Sequence, residues 1–244
     1  MNKLQSIYRQ LLTEYKQQGW WPFSRLSMPV KKGDKDWANY KKFLRNSSAA
    51  DFRINWPRHH GIAPKKDSQR LEIIIGALLT QNTSWRNVEK AIYILNKDKL
   101  LDRKKLSKLP FKKLSSLIKS AGYYNQKARK IKEFLRFKGK ITRENLLSIW
   151  GIGPETADSI LLYAYNKPIF VIDAYTRRIM FRVGICKSDA KYGELQKIFH
   201  NSLNCSAKLF KEYHALLVQH AQTHCKTKPV CNSCPISKLC ASKR

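Results

Sequence analysis

The apolar residues of this chain recur at spacings of three and four rather than two, and that periodicity restricts the fold more than any other feature. Segments 71–80, 88–95, 106–117, 128–135, 155–165, 175–183 and 208–220 each gather their apolar side chains on one face of a helix, as does the N-terminal stretch through Ile7, Leu11, Leu12 and Tyr15. No stretch alternates apolar and polar residues as a half-buried strand would. The breaks are short and carry chain-turning residues: 81–84, Lys108-Leu109-Pro110, Gly122, Gly139, Gly151-Ile152-Gly153-Pro154 and Asn166-Lys167-Pro168. Helices joined by such breaks predict an all-α protein.

Charge narrows the partner. The chain has 48 Lys plus Arg against 17 Asp plus Glu, a net charge of +31, which predicts a polyanion. The apolar run 71–80 is far shorter than the roughly 18–20 residues needed to cross a bilayer, so no membrane is expected. The N-terminus reads as an amphipathic helix and not as a signal peptide, so the expected location is intracellular. Within 127–143, eight Lys and Arg face a single Glu133; around Ile131, Phe134 and Leu135 they read as the solvated face of a helix. Residues 31–70 mix charge with Trp37, Phe43, Phe52 and Trp56 and read as an ordered, irregular insertion.

Three local patterns carry chemistry. In Gly151-Ile152-Gly153-Pro154-Glu155-Thr156, two glycines let the chain turn sharply between helices. Without side chains there, backbone N–H groups of Gly151, Ile152, Gly153 and Thr156 can approach a phosphate oxygen. A contact of that kind grips a strand without reading its sequence; the alternative is a tight helical turn plugged by Ile152. Downstream, the apolar run Phe170-Val171-Ile172 delivers Asp173 to the start of a helix, where an N-cap role is available to it. Finally Cys225, Cys231, Cys234 and Cys240 are separated by five, two and five residues. A zinc ribbon would show two C-x-x-C knuckles and this run has one, so four-thiolate ligation of an iron–sulfur cluster is the better reading. Cys186 and Cys205 fall outside the pattern and read as buried thiols.

Taken together, the hairpin, the Val-Ile-Asp segment after it and the cysteine run resemble the helix-hairpin-helix DNA glycosylases of the endonuclease III superfamily, from about Leu71 to Cys240. The resemblance implies two helical lobes with duplex DNA in the cleft between them, and a 4Fe-4S cluster on the four cysteines, whose first spacing is one residue shorter than the family's. It implies that Asp173 is the catalytic carboxylate. Gly76-Ala77-Leu78-Leu79-Thr80-Gln81 is similar to the family segment whose last residue fills the gap left by an extruded base, which makes Gln81 the wedge; by itself it reads as a helix end. The implied division is 1–61, an N-terminal helix and insertion packing partly with the C-terminal lobe; 62–167, a helical barrel containing the hairpin; and 168–244, the aspartate helix and cluster loop.

Bifunctional members use a lysine in the helix after the hairpin as a Schiff-base nucleophile, and here that position is Glu155, which cannot form an imine. The implied activity is therefore monofunctional: the base is flipped out, its N-glycosidic bond is hydrolysed and an abasic site remains. Gly-Ile-Gly-x-Glu-Thr-Ala-Asp with the later Ile-Asp-x-Tyr, and Gly19-Trp20-Trp21-Pro22, resemble the 3-methyladenine DNA glycosylase III branch. Trp20 or Trp21 would stack on an electron-poor alkylated purine, or would pack the N-terminal helix on the core. The implied setting is base excision repair by a monomer in the cytoplasm of a prokaryote. The alternatives are a thymine or uracil mismatch glycosylase, an endonuclease III-like glycosylase and lyase, an adenine glycosylase, and a non-catalytic damage binder.

Overall fold

The computed structural model describes residues 2–19 and 63–242; Trp20, Trp21 and most of the expected insertion lie outside them. Every regular element among the described residues is helical. The helices are α1 (Lys3–Tyr15), α2 (Asp67–Leu79), α3 (Trp85–Lys97), α4 (Arg103–Lys108), α5 (Phe111–Leu117), α6 (Tyr124–Arg136), α7 (Arg143–Leu147), α8 (Pro154–Ser159), α9 (Ala174–Arg182), α10 (Tyr192–Ser202) and α11 (Ala207–Thr223). The described residues form two compact units, one of 64–156 and one of 2–19 with 63 and 157–242. The division falls between Thr156 and Ala157, inside α8, where the sequence reading set a boundary at 167.

In the first unit α2 is buried continuously from Leu71 to Leu79, a run that is apolar except for Glu72 and so hides every face of the helix. It packs against α3 and α6, and α6 also packs against α4 and α5. The apolar stretch 106–117 is two helices, because Pro110 lacks the N–H that would continue α4 into α5. The basic segment is not simply a solvated face. Lys132 on α6 donates to the carbonyls of Leu106 and Ser107, both at 2.9 Å, and of Leu109, satisfying the end of α4. Arg103 on α4 returns the contact, donating to the carbonyls of Phe134 at 3.1 Å and Leu135 at 3.0 Å. Lys127 is 2% exposed and donates to the Ala121 carbonyl at 2.7 Å.

In the second unit α1 opens with a capping box between Asn2 and Gln5. It buries Leu4, Ile7 and Leu11 against α10 and α11. Phe170 stacks on Phe199 at 3.8 Å between centroids and meets the edges of Phe210 and Tyr213. Helix α10 has no counterpart among the segments read from sequence, since Leu195 and Phe199 are its only buried residues. The long segment expected at 155–165 is helical but not uniform: α8 passes into a wider i→i+5 turn over Ile160–Ala164. Of the two cysteines expected to be buried, Cys186 is half-buried and Cys205 is exposed beside the Pro168 carbonyl.

Candidate functional site

The hairpin lies in the first unit. Pro154 starts α8, where its missing N–H costs nothing, and Glu155 follows in the first turn, where a carboxylate suits the helix dipole. Gly151 has φ of 84°, and a Cβ there would fall 2.6 Å from the Lys130 side chain. A Cβ on Gly153 would meet nothing within 4 Å, and Gly153, Pro154 and Glu155 are all exposed. Ile152 is 4% exposed and its N–H donates to the Ile149 carbonyl, so this residue serves as the plug of the turn and its amide is already used. Thr156 is also buried, with its hydroxyl engaged from within.

That engagement comes from Gln81. Its Nε2 donates to the Gly151 carbonyl at 3.2 Å and to Thr156 Oγ1 at 3.0 Å, and its Oε1 accepts from the Lys130 ammonium. Gln81 and the hairpin are thus one hydrogen-bonded assembly, with Lys130 as its third member; burial pushes the Lys130 ammonium below its ordinary pKa. Beside it, the Arg129 guanidinium lies 4.1 Å over the ring of Trp150, an exposed indole. Sequence reasoning passed over Lys130, Arg129 and Trp150, although a tryptophan next to Gly-Ile-Gly was a visible signal.

Asp173 lies in the second unit at the N-cap of α9, with extended backbone (φ −92°, ψ 178°). Its Oδ1 accepts from the Thr176 amide at 2.7 Å, so the capping role is real. Its Oδ2 is 3.6 Å from Nε2 of His214 on α11, and the carboxylate side chain is 16% exposed. Burial alone would raise this carboxyl; the His214 imidazole and the Thr176 contacts outweigh it and hold Asp173 below its ordinary value. His214 Nδ1 lies 2.7 Å from the hydroxyl of Tyr163, itself in the wide turn after α8. On the same helix, Glu212 accepts from the amides of Gln18 and Gly19 at 2.5 and 3.1 Å, which fixes the chain just ahead of Trp20.

The C-terminal end of α9 meets the cysteine segment. Arg182 donates to Cys225 Sγ at 3.4 Å and to the carbonyls of Lys226 at 2.6 Å and Thr227 at 2.9 Å, while Arg178 donates to the Cys225 carbonyl at 2.9 Å. From α1, Tyr15 Oη is 2.9 Å from His220 Nδ1 and 2.8 Å from His224 Nδ1, and burial pushes its phenol up to about 12. Burial pushes the Cys234 thiol up, and the charges of Cys225, Cys240 and Cys231 add to the effect. Among the described residues no three ligating side chains converge as a single ion requires. The donor set of this segment is four cysteine thiols, Cys225, Cys231, Cys234 and Cys240, all free, which is the set an iron–sulfur cluster takes.

Comparison with known proteins follows the same lines. The profile of the HhH-GPD superfamily, described as base excision DNA repair proteins, matches residues 75–205. A candidate DNA repair glycosylase of Methanocaldococcus jannaschii is 44% identical over 190 residues, covering 71% of this chain and 86% of that protein. The structure of H. pylori 3-methyladenine DNA glycosylase bound to 1,N6-ethenoadenine aligns with a TM-score of 0.56 at 26% identity, over 77% of this chain and 94% of that one. A thermostable thymine-DNA glycosylase shares the fold with a TM-score of 0.66 at 19% identity, over 99% of this chain and 96% of its own.

Proposed function

Because the chain belongs to the HhH-GPD superfamily of base excision DNA repair proteins, we propose that it is a monofunctional DNA glycosylase that hydrolyses an alkylated purine such as 3-methyladenine from duplex DNA. The observation that carries this reading is Asp173: a largely buried carboxylate kept ionised by its neighbours, at a helix start, where a forming cation would need it. With the damaged base extruded, the electrons of the N-glycosidic bond leave with the base and positive charge develops at the sugar C1′. The Asp173 carboxylate stabilises that charge and takes a proton from the water whose oxygen bonds to C1′. An abasic site and the free base remain.

Glu155 supports the absence of a lyase step through the helix after the hairpin, since a carboxylate forms no imine. The likeness to a 3-methyladenine glycosylase supports an alkylated purine, with Trp20 or Trp21 as the stacking face. The open face at Gly153 and the positive charge of the chain support binding to phosphates of double-stranded DNA. Cys225, Cys231, Cys234 and Cys240 would hold a 4Fe-4S cluster, which when bound cross-links the C-terminal loop to itself. The reading includes a monomer acting on the nucleoid in the cytoplasm of a prokaryotic cell.

The test is purified protein against duplexes containing methylated purines, G·T, G·U, oxidised pyrimidines, or adenine opposite oxidised guanine, each scored with and without alkali. Release of free methylpurine, with strand breaks only after alkali, is expected. Release of thymine or uracil alone overturns the substrate, and breaks without alkali together with a borohydride-trapped protein–DNA adduct overturn the monofunctional mode.

A further inference from the structure

His214 is 6% exposed, and its Nε2 is buried with no hydrogen-bond partner within normal length, facing Asp173 Oδ2 at 3.6 Å. Its other nitrogen, Nδ1, is held by the Tyr163 hydroxyl at 2.7 Å. Tyr163 is 1% exposed; burial, then the charges of Asp173 and Glu212, push its phenol well above the ordinary value, so it stays a neutral O–H. These facts restrict the proton arrangement. With the Tyr163 O–H donating to Nδ1, a neutral imidazole carries its proton on Nε2 and presents it to the carboxylate. With both nitrogens protonated, Nε2–H faces the carboxylate again. The remaining tautomer would set the Nε2 lone pair against a carboxylate in a buried site, which is electrostatically unfavourable.

We propose that His214 is a positioning residue for Asp173: its Nε2–H fixes Oδ2 and keeps the carboxylate ionised while the cationic sugar forms, and Tyr163 fixes which ring nitrogen points there. The proposal rests on the reading of Asp173 as the excision carboxylate. Three elements meet in it: the wide turn Ile160–Ala164 brings Tyr163, α11 brings His214, and the start of α9 brings Asp173. Of the other charged groups on α11, Lys211 donates to Asn166 Oδ1 at 2.9 Å, and Glu212 accepts from the amides of Gln18 and Gly19 while its charge reaches Tyr163. The Thr176 amide faces the opposite oxygen, Oδ1. Removing His214 takes away the larger of the two influences that oppose burial, the Thr176 contacts being the other, and so lets burial raise the Asp173 carboxyl.

The experiment compares wild type with His214→Leu and, as a milder change that keeps the imidazole, Tyr163→Phe. Two quantities are read: single-turnover release of methylpurine from methylated duplex DNA as a function of pH, and the titration of the Asp173 carboxyl by NMR in the free protein. His214→Leu is expected to lower the rate at neutral pH by about a hundredfold, to move the acid limb of the profile to higher pH, and to leave duplex affinity unchanged. Tyr163→Phe should move both readouts the same way by a smaller amount. A lower rate with an unmoved acid limb and an unmoved carboxyl titration in both variants assigns His214 to packing and overturns the proposal. If Asp173→Asn releases base as fast as wild type, the excision reading fails on its own, and the NMR titration still decides whether His214 holds the carboxylate.

Discussion

The side chain of Lys130 occupies the space a Cβ on Gly151 would need, with its Cγ, Cε and Cδ at 2.6, 2.8 and 2.9 Å from that position. Gly151 is thus demanded twice, by its φ of 84° and by a neighbour from another helix. Gly153, two residues on, is demanded by nothing inside the protein. Gly151→Ala should cost about 1–3 kcal/mol in a denaturant melt. Gly153→Ala should stay within about 0.5 kcal/mol of wild type yet weaken duplex binding, because the added methyl group stands where a phosphate would approach. Equal duplex affinity for Gly153→Ala and wild type would remove the hairpin from the DNA interface.

Asp173→Asn separates the two jobs of this residue. Asparagine keeps an Oδ1 for the Thr176 amide and is as good an N-cap, but its Nδ2 stands where Oδ2 faces His214 Nε2, so the melt should fall by about 1–3 kcal/mol. Excision should fall by about 10²–10⁴-fold, with duplex affinity retained in a gel shift.

What could be read from sequence was what is local in sequence. The hairpin, the cap position of Asp173 and the spacing of Cys225 to Cys240 each fit in a short window, and helical periodicity placed most helices near their observed positions. His214, Tyr163 and Lys130 owe their roles to partners 41 to 51 residues away in the chain, and no window contains both ends of such a contact. A polar residue on the apolar face of 208–220 was the one available hint of His214. Helix α10 escaped because two buried side chains make too weak a period, and the commitments of Lys127, Lys130 and Lys132 were hidden within a charge run that looked uniform.

Lys127 should give the protein a distinctive alkaline profile. Burial, and secondarily the Lys130 charge, push its ammonium down to about 8. Below that pH both folded and unfolded chains hold the proton and the burial penalty is fully present. Between about 8 and the ordinary value near 10.4 only the unfolded chain holds it, so stability rises with pH. Lys127→Met should therefore gain most over wild type at pH 7, and that gain should shrink by about 1 kcal/mol by pH 10 in paired urea melts, allowing for solvent screening. A gain that does not change with pH would show that Lys127 is not charged at a cost.

Arg182 ties α9 to the cysteine segment through Cys225, Lys226 and Thr227. Arg182→Ala should leave the global melt within about 1–2 kcal/mol while trypsin cuts after Lys226 and Lys228 sooner than in wild type. Cys231→Ser is expected to lose bound iron and visible absorbance together, and to lose folding or duplex affinity with no change in which base is preferred. Zinc in the purified wild-type protein, with no iron, would refute the cluster.

The binding of Gln81 to Gly151, Thr156 and Lys130 also has a consequence for how the protein could examine undamaged DNA. Any use of this amide outside its own unit must give up three hydrogen bonds, each worth about 1 kcal/mol net. The exchange is near neutral only where the new surroundings offer comparable donors and acceptors, such as the edge of an orphaned base; against a closed base pair it is a loss. On the reading of Gln81 as the residue that would fill the gap of an extruded base, these resting contacts would set a threshold, and ordinary sequence would be passed over without being pried apart.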